Sequence, residues 1–353
     1  MKLSAYTQEL LRDIESRIDP DVEEDYLSQW RDYWDGNCSE VLFFPKRKKT
    51  SLPGMEIHQI HINDALHDRE LMLDMQLAEL SGRLSTPHAP LGIRANYGTG
   101  IMTSLFGAEI FEMPREMNTL PTTRSFNDSN RIRSILDKGI PDLNGGFGTD
   151  VFAFGETCAE ILEAYPNIGR YVHIYHPDTQ GPLDIAELLW GGEMFYEMYD
   201  DPDFVHNVLS LITETYTQFM EQWYRIIPMD TDLSMHWNLM HRGPIMIRND
   251  SAMNISPEMY QEYAMKYDAQ LLRHFGGGCI HFCGRGDHYI DLLTQIPELT
   301  GFNPGQPHLN DMEKLMTAAA RGGKKLLSCH ADSALTYAAR PDAILGIIHS
   351  EPL

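Results

Sequence analysis

Short β-rich segments alternate with amphipathic helical segments from about residue 90 onward, and this alternation restricts the fold more than any other feature. The strand-like segments are 91–96, 170–176, 232–237, 244–248, 279–283, 299–303 and 325–329. Such alternation is typical of parallel strands joined by crossover helices. No Gly-x-Gly-x-x-Gly motif follows a predicted strand, which argues against a dinucleotide-binding fold. We therefore predict an α/β fold, a (β/α)8 TIM barrel, over residues 89–353.

The first 88 residues have a different pattern and are predicted to form an N-terminal helical extension over the barrel. Residues 5–34 and 64–84 place apolar side chains at helical spacing, and such stripes must be buried against a partner surface. Between them lies the basic run Lys46-Arg47-Lys48-Lys49. Its ordinary interpretation is a solvated loop, and an anion-binding site remains the alternative.

Composition and charge exclude several functional classes. The 353 residues include 28 Lys and Arg against 51 Asp and Glu, a net charge of −23. A general nucleic-acid binder needs a basic surface, so that class is excluded. No run of 18 apolar residues is present, and we expect no membrane association. Five scattered cysteines and a polar N-terminal segment favour a cytoplasmic protein.

Three residues form a candidate metal site: His281, Cys283 and Cys329. His281 and Cys283 are two apart on one predicted strand, so their side chains leave on the same face. Cys329 ends a later predicted strand, with one strand between, and alternate barrel strands supply the same inner layer. Two thiolates and an imidazole suit Zn²⁺ and leave a fourth position open. The alternative is that the cysteines are small buried core residues.

Four polar residues near predicted strand ends are candidates for substrate binding: Arg94, Gln180, Asp184 and Asp250. Arg94 is either an anchor for an anionic acceptor or an ion-paired residue of the rim. Gln180 and Asp184 either line the pocket or cap the helix that follows them. Asp250 is either a contact to substrate or metal, or a turn residue at a strand end.

Four short motifs in residues 90–350 also carry a family resemblance. They are Gln180-Gly181-Pro182-Leu183-Asp184, Asn249-Asp250-Ser251 before Ser256-Pro257-Glu258, His281-Phe282-Cys283-Gly284, and Gly305-Gln306-Pro307. As a set, these motifs resemble the uroporphyrinogen decarboxylase superfamily. The His-x-Cys…Cys pattern is similar to that of its zinc-dependent corrinoid:coenzyme M methyltransferases. The resemblance implies that His281, Cys283 and Cys329 are zinc ligands.

The resemblance also implies an activity and a partner. The enzyme would move a methyl group from a methylated corrinoid to a thiol such as coenzyme M or a related acceptor. The chain lacks the Asp-x-His-x-x-Gly cobalamin motif, so we expect a separate corrinoid protein to supply the donor.

The porphyrinogen decarboxylases carry an arginine-rich segment where this chain has only Arg94, and a tyrosine near the position of Leu188. These departures favour the methyltransferase. A metal-free decarboxylase and a non-catalytic binding protein remain the alternatives. The oligomeric state is not fixed by the sequence, and a homodimer remains open.

Overall fold

A computed structural model describes residues 2–38, 42–329, 336, 339 and 348–350 of the chain. Its N-terminal part contains four helices and one short strand: α1 (Ala5–Arg17), α2 (Pro20–Asp35), β1 (Leu42–Phe43), α3 (Ile62–Ala65) and α4 (Arg69–Leu84). The helix predicted over residues 5–34 is divided in two. Asp19 caps α2 and Pro20 occupies its first position, where a missing backbone N–H costs nothing.

The middle of the described chain contains six short strands and seven α-helices. Its strands are β2 (Gly92–Arg94), β3 (Glu109–Phe111), β4 (Thr122–Arg124), β5 (His173–Tyr175), β6 (Ser234–His236) and β7 (Leu239–His241). Its helices are α5 (Ile101–Leu105), α6 (Ser129–Lys138), α7 (Gly148–Ala164), α8 (Pro166–Tyr171), α9 (Pro182–Trp190), α10 (Glu193–Asp200) and α11 (Pro202–Ile226). Strands β2 and β5 pair in parallel, whereas β3–β4 and β6–β7 are antiparallel pairs.

The last third of the described chain follows the predicted strand–helix alternation. Its strands are β8 (Ile245–Arg248), β9 (Gly278–Phe282), β10 (Leu299–Pro304), β11 (Lys325–Cys329) and β12 (Ile348–Ser350). Its helices are α12 (Pro257–Tyr260), α13 (Lys266–Phe275), α14 (Ile290–Leu293) and α15 (Met312–Gly322), with a π-helical turn over Gln261–Met265. Single 3₁₀ turns follow β8 and β10, at Asp250–Asn254 and Pro307–Leu309.

Six parallel strands form the main sheet, in the order β1-β12-β11-β10-β9-β8. The mixed α/β fold class is confirmed. Hydrogen-bonded pairing among the described residues does not close the strands into a ring, and the closed barrel stays a prediction. Strand β9, which lies between β10 and β8, is buried along its whole length, as expected when both faces of a parallel sheet are covered.

The N-terminal helices pack into the same hydrophobic core as the sheet. Leu10, Leu11 and Trp30 are fully buried within one continuous cluster that also contains Ile280 and Phe302. The N-terminal part also contributes strand β1, which pairs in parallel with β12 and was not predicted. The division at residue 88 stays a prediction. Within the described part of the chain, no helix is both long enough and apolar enough to cross a membrane.

Candidate metal-binding site

Three side chains with metal-ligating atoms meet at the carboxyl end of β9. The ligand atoms of Asp250, His281 and Cys283 all lie within 4.8 Å of one another. His281 Nε2 lies 3.3 Å from Cys283 Sγ and 3.7 Å from Asp250 Oδ1. His281 is buried, whereas Asp250 and Cys283 are half-buried. A neutral imidazole, a thiol and a carboxylate so arranged form a group that can hold a metal ion.

Asn303 fixes the orientation of the His281 ring. The two residues are directly opposed in the β9–β10 pairing, and His281 Nδ1 donates a hydrogen bond to Asn303 Oδ1 at 2.6 Å. The side-chain nitrogen of Asn303 donates to the Leu327 carbonyl at 3.2 Å. The side-chain oxygen of Asn303 is therefore the atom that accepts from His281. His281 therefore carries its proton on Nδ1 and turns the lone pair of Nε2 toward Cys283 and Asp250. Metal-binding histidines are typically oriented by such a second hydrogen bond.

Burial keeps His281 and Cys283 uncharged at neutral pH. Burial lowers the pKa of His281, against the opposing effects of Asp250 and Asn303, so the imidazole is neutral. Burial and the negative charge of Asp250 raise the pKa of the Cys283 thiol to about 11. The thiol is therefore a weak nucleophile by itself. A bound cation reverses this, because it stabilises the thiolate.

Asp184 supports the turn that carries Asp250. Its two carboxylate oxygens accept the backbone N–H groups of Asp250 and Ser251, both at 2.8 Å. Burial and the charge of Asp250 raise the pKa of Asp184 well above its usual range. Asp250 Oδ1 in turn accepts the backbone N–H of Cys283 at 2.6 Å. The 3₁₀ turn after β8 is thereby tied to the end of β9.

Gly305 leaves room beside the two principal ligands. A Cβ atom at this position would lie 2.7 Å from Cε1 of His281 and 3.1 Å from Sγ of Cys283. The following Gln306 accepts the backbone N–H of Gly284 at 2.8 Å and so holds the turn after Cys283. That turn has a φ of 73° at Gly284, a conformation that favours glycine.

Gly305→Ala is expected to weaken metal binding. The added methyl group would displace His281 or Cys283, and an overpacking cost of about 1–3 kcal/mol corresponds to a loss of about fivefold to 150-fold in metal affinity. Competition with a chromophoric chelator measures the effect. Gly82→Ala in α4 is the matched control, because a Cβ there meets nothing within 4 Å. Equal metal affinities for the two variants would show that the space beside Gly305 is not used.

Cys329 is the last residue of β11, which lies beside β10 in the sheet. The side chain of Cys329 lies outside the described part of the structure. The predicted third ligand is therefore not placed by the geometry. Asp250, predicted as a contact to substrate or metal, is found among the ligand atoms instead.

A polar cleft of about 520 Å³ adjoins the cluster and is lined by Gln180, Asp184 and Asp250. Of the two predicted alternatives for Asp184, the structure shows the first: it lines the cleft, and α9 has no side-chain hydrogen bond at its N-cap although Asp184 lies in its first turn. Gln180 is buried at 3% exposure, and its amide nitrogen has no hydrogen-bond partner among the described residues.

Arg94, the fourth substrate-binding candidate, belongs to a separate buried ion-pair group. Its Nη1 donates to Asp178 Oδ2 at 2.6 Å, and Asp178 also pairs with Arg248. The Arg248 guanidinium lies over the Trp237 ring, 4.5 Å from its centroid. Trp237 in turn packs edge-on against His281, with ring centroids 4.6 Å apart. Arg94 does not line the cleft beside Asp250.

Sequence reasoning missed Asn303, Asp178 and Arg248. Asn303 is the last residue of the predicted strand 299–303, which lies next to the strand of His281, and this position could have marked it as a site residue. Asp178 and Arg248 are far apart in the chain, so the sequence does not show that they form a buried ion pair.

No protein-family model matches the chain, and no curated protein matches its sequence. The resemblance to the uroporphyrinogen decarboxylase superfamily therefore rests on the short motifs alone. What the chain does has to be argued from the geometry of its site.

Proposed function

We propose that the chain is a zinc-dependent methyltransferase that moves a methyl group from a methylated corrinoid to a thiol. The observation that carries this proposal is the meeting of His281, Cys283 and Asp250 at the end of β9. In agreement with the motif resemblance, the corrinoid would be carried by a separate protein. Cys329 at the end of β11 completes the proposed set of His281, Cys283 and Cys329.

The donor set fits zinc. Two donors on one tetrahedral zinc ion lie about 3.4–3.6 Å apart, given bond lengths of about 2.0–2.3 Å. The separations of His281 Nε2 from Cys283 Sγ and Asp250 Oδ1 are 3.3 and 3.7 Å. The Nδ1–H tautomer imposed by Asn303 leaves the ligating nitrogen free of a proton. The neighbouring carboxylate of Asp250 adds a negative charge that favours a cation.

Each residue has a defined task in this proposal. Bound zinc would supply a Lewis acid that ionises a substrate thiol near neutral pH and keeps it nucleophilic. His281 and Cys283 hold the ion, and Asn303 keeps the imidazole in the ligating tautomer. Asp184 holds the Asp250 turn against the end of β9. Gly305 leaves the approach to both ligands unobstructed.

The charge of the cleft supports methyl transfer over porphyrinogen decarboxylation. Its described lining includes the carboxylates of Glu187 and Asp250, and no lysine, arginine or histidine. A substrate with many carboxylates would be repelled there. The half-buried Arg94 and the buried Arg248 both pair with Asp178.

Loss of the methylcobalamin absorption in the presence of small thiols tests the proposal. Zinc-loaded protein should demethylate methylcobalamin in a thiol-dependent reaction, with tetrahydrofolate as the parallel acceptor. Protein treated with a chelator and returned to zinc serves as the internal control. No transfer to any thiol by the zinc-loaded protein, with carbon dioxide release from a porphyrinogen, would contradict the proposal.

A further inference from the structure

The polar cleft beside the metal-binding cluster has a composition that restricts what it can hold. Nine of its twelve lining residues are polar, and three of these carry carboxyl groups. None of the described lining residues is basic. Asp250 belongs both to this lining and to the cluster with His281 and Cys283. A molecule whose reacting atom reaches the cluster therefore extends into an acidic and amide-rich cleft.

Gln180 is independent evidence that the cleft accepts a polar ligand. Its side chain is 3% exposed and lines the cleft, yet the amide nitrogen has no hydrogen-bond partner in the described structure. An unpaired buried polar group costs about 1–3 kcal/mol. Such a group is rare in a native protein and is expected where a ligand supplies the missing partner.

We infer that the cleft binds the non-reacting end of a small thiol substrate, and that this end carries a hydroxyl group rather than an anion. This inference rests on the proposed function and names its substrate class. A hydroxyl oxygen can accept the unpaired N–H of Gln180 while its own O–H donates to the carboxylate of Glu187 or Asp250. An ammonium group can only donate, so it would leave the Gln180 N–H unpaired. The two carboxylates repel a sulfonate or carboxylate. An acceptor with an anionic end, such as coenzyme M, is therefore disfavoured at this site.

Three two-carbon thiols that differ in the charge of the other end test the inference. They are 2-aminoethanethiol, 2-mercaptoethanol and 2-mercaptoethanesulfonate, titrated into the zinc-loaded protein by calorimetry. The alcohol should bind more tightly than the sulfonate. The amine, which the carboxylates attract but which cannot accept the Gln180 N–H, reports the charge of the cleft alone. One unit of charge near a half-buried carboxylate is expected to change affinity by about tenfold.

The three thiols also differ in acidity, which affects their binding to zinc. Glu187→Gln removes this difference from the comparison, because the affinity of each thiol for the variant is compared with the affinity of the same thiol for the wild type. The preference for the amine over the sulfonate should fall by about threefold to tenfold in this variant. Glu214→Gln is the matched control, since it removes the same charge from an exposed position of α11 outside the cleft. That variant should keep the wild-type preference.

The outcomes distinguish the inference from the proposal on which it rests. Binding of all three thiols with the sulfonate equal or tightest would overturn the inference and leave the thiol-binding metal site intact. An unchanged preference in Glu187→Gln would also overturn it. Failure of all three thiols to bind the zinc-loaded protein would overturn the inference together with the proposed function.

Discussion

Cys283→Ala should reduce methyl transfer to thiols by about 10³-fold or more while leaving the fold intact. The substitution removes a ligand whose sulfur lies 3.3 Å from His281 Nε2. Loss of a metal ligand removes an interaction that the reaction needs throughout, so kcat and kcat/KM should both fall. The fold should survive because the variant keeps the backbone N–H of residue 283, which bonds to Asp250.

Cys38→Ala is the control for this loss of activity. Cys38 is a half-buried cysteine at the end of the N-terminal helices and does not belong to the cluster. Its replacement should leave the rate of methyl transfer within about twofold of wild type. Circular dichroism of both variants checks that the fold is retained. A Cys283→Ala protein that keeps most of its activity would show that the cluster is not the reaction centre.

Arg47→Ala should destabilise the protein by about 3–5 kcal/mol, because it leaves the carboxylate of Glu23 buried without its partner. Arg47 Nε and Nη2 donate to the two oxygens of Glu23 at 2.6 and 2.8 Å. The side chains are only 1% and 4% exposed. The guanidinium also lies 4.4 Å from the centroid of the Tyr26 ring. Denaturant unfolding, with the midpoint and slope fitted together, measures the change in free energy of unfolding.

Lys48→Ala is the matched control, one residue further along the same basic run. Lys48 pairs with Asp25 but is 70% exposed, and exposed ion pairs contribute about 0–1 kcal/mol. Its loss should barely move the unfolding midpoint. The double substitution Glu23→Gln and Arg47→Met should recover part of the stability, since it removes both charges. Equal effects of Arg47→Ala and Lys48→Ala would contradict the account.

The pairing of His281 with Cys283 follows directly from the sequence, because side chains two apart on a strand share a face. The start of α12 is a local pattern of the same kind, because the Ser256 hydroxyl accepts the Met259 N–H and Pro257 occupies the first helical position. Such local patterns depend on residues only a few positions apart. They therefore need no knowledge of how the chain packs.

Features that depend on distant partners were not predictable in this way. The basic run was expected to be a solvated loop, but Arg47 forms a buried ion pair with Glu23 on α2. The segment 232–237 was expected to continue the parallel pattern. Instead β6 turns back at Trp237, which has a φ of 49°, and pairs antiparallel with β7. The Trp237 ring thereby packs against His281.

Zinc content after dialysis tests the central claim most directly. Wild-type protein equilibrated with zinc and then dialysed against a weak chelator should retain about one zinc ion per chain by elemental analysis. Cys283→Ser, His281→Ala and Cys329→Ala should each retain little or none, because each lacks one proposed ligand. A folded wild-type protein that retains no zinc, or a Cys283→Ser protein that retains all of it, would contradict the account.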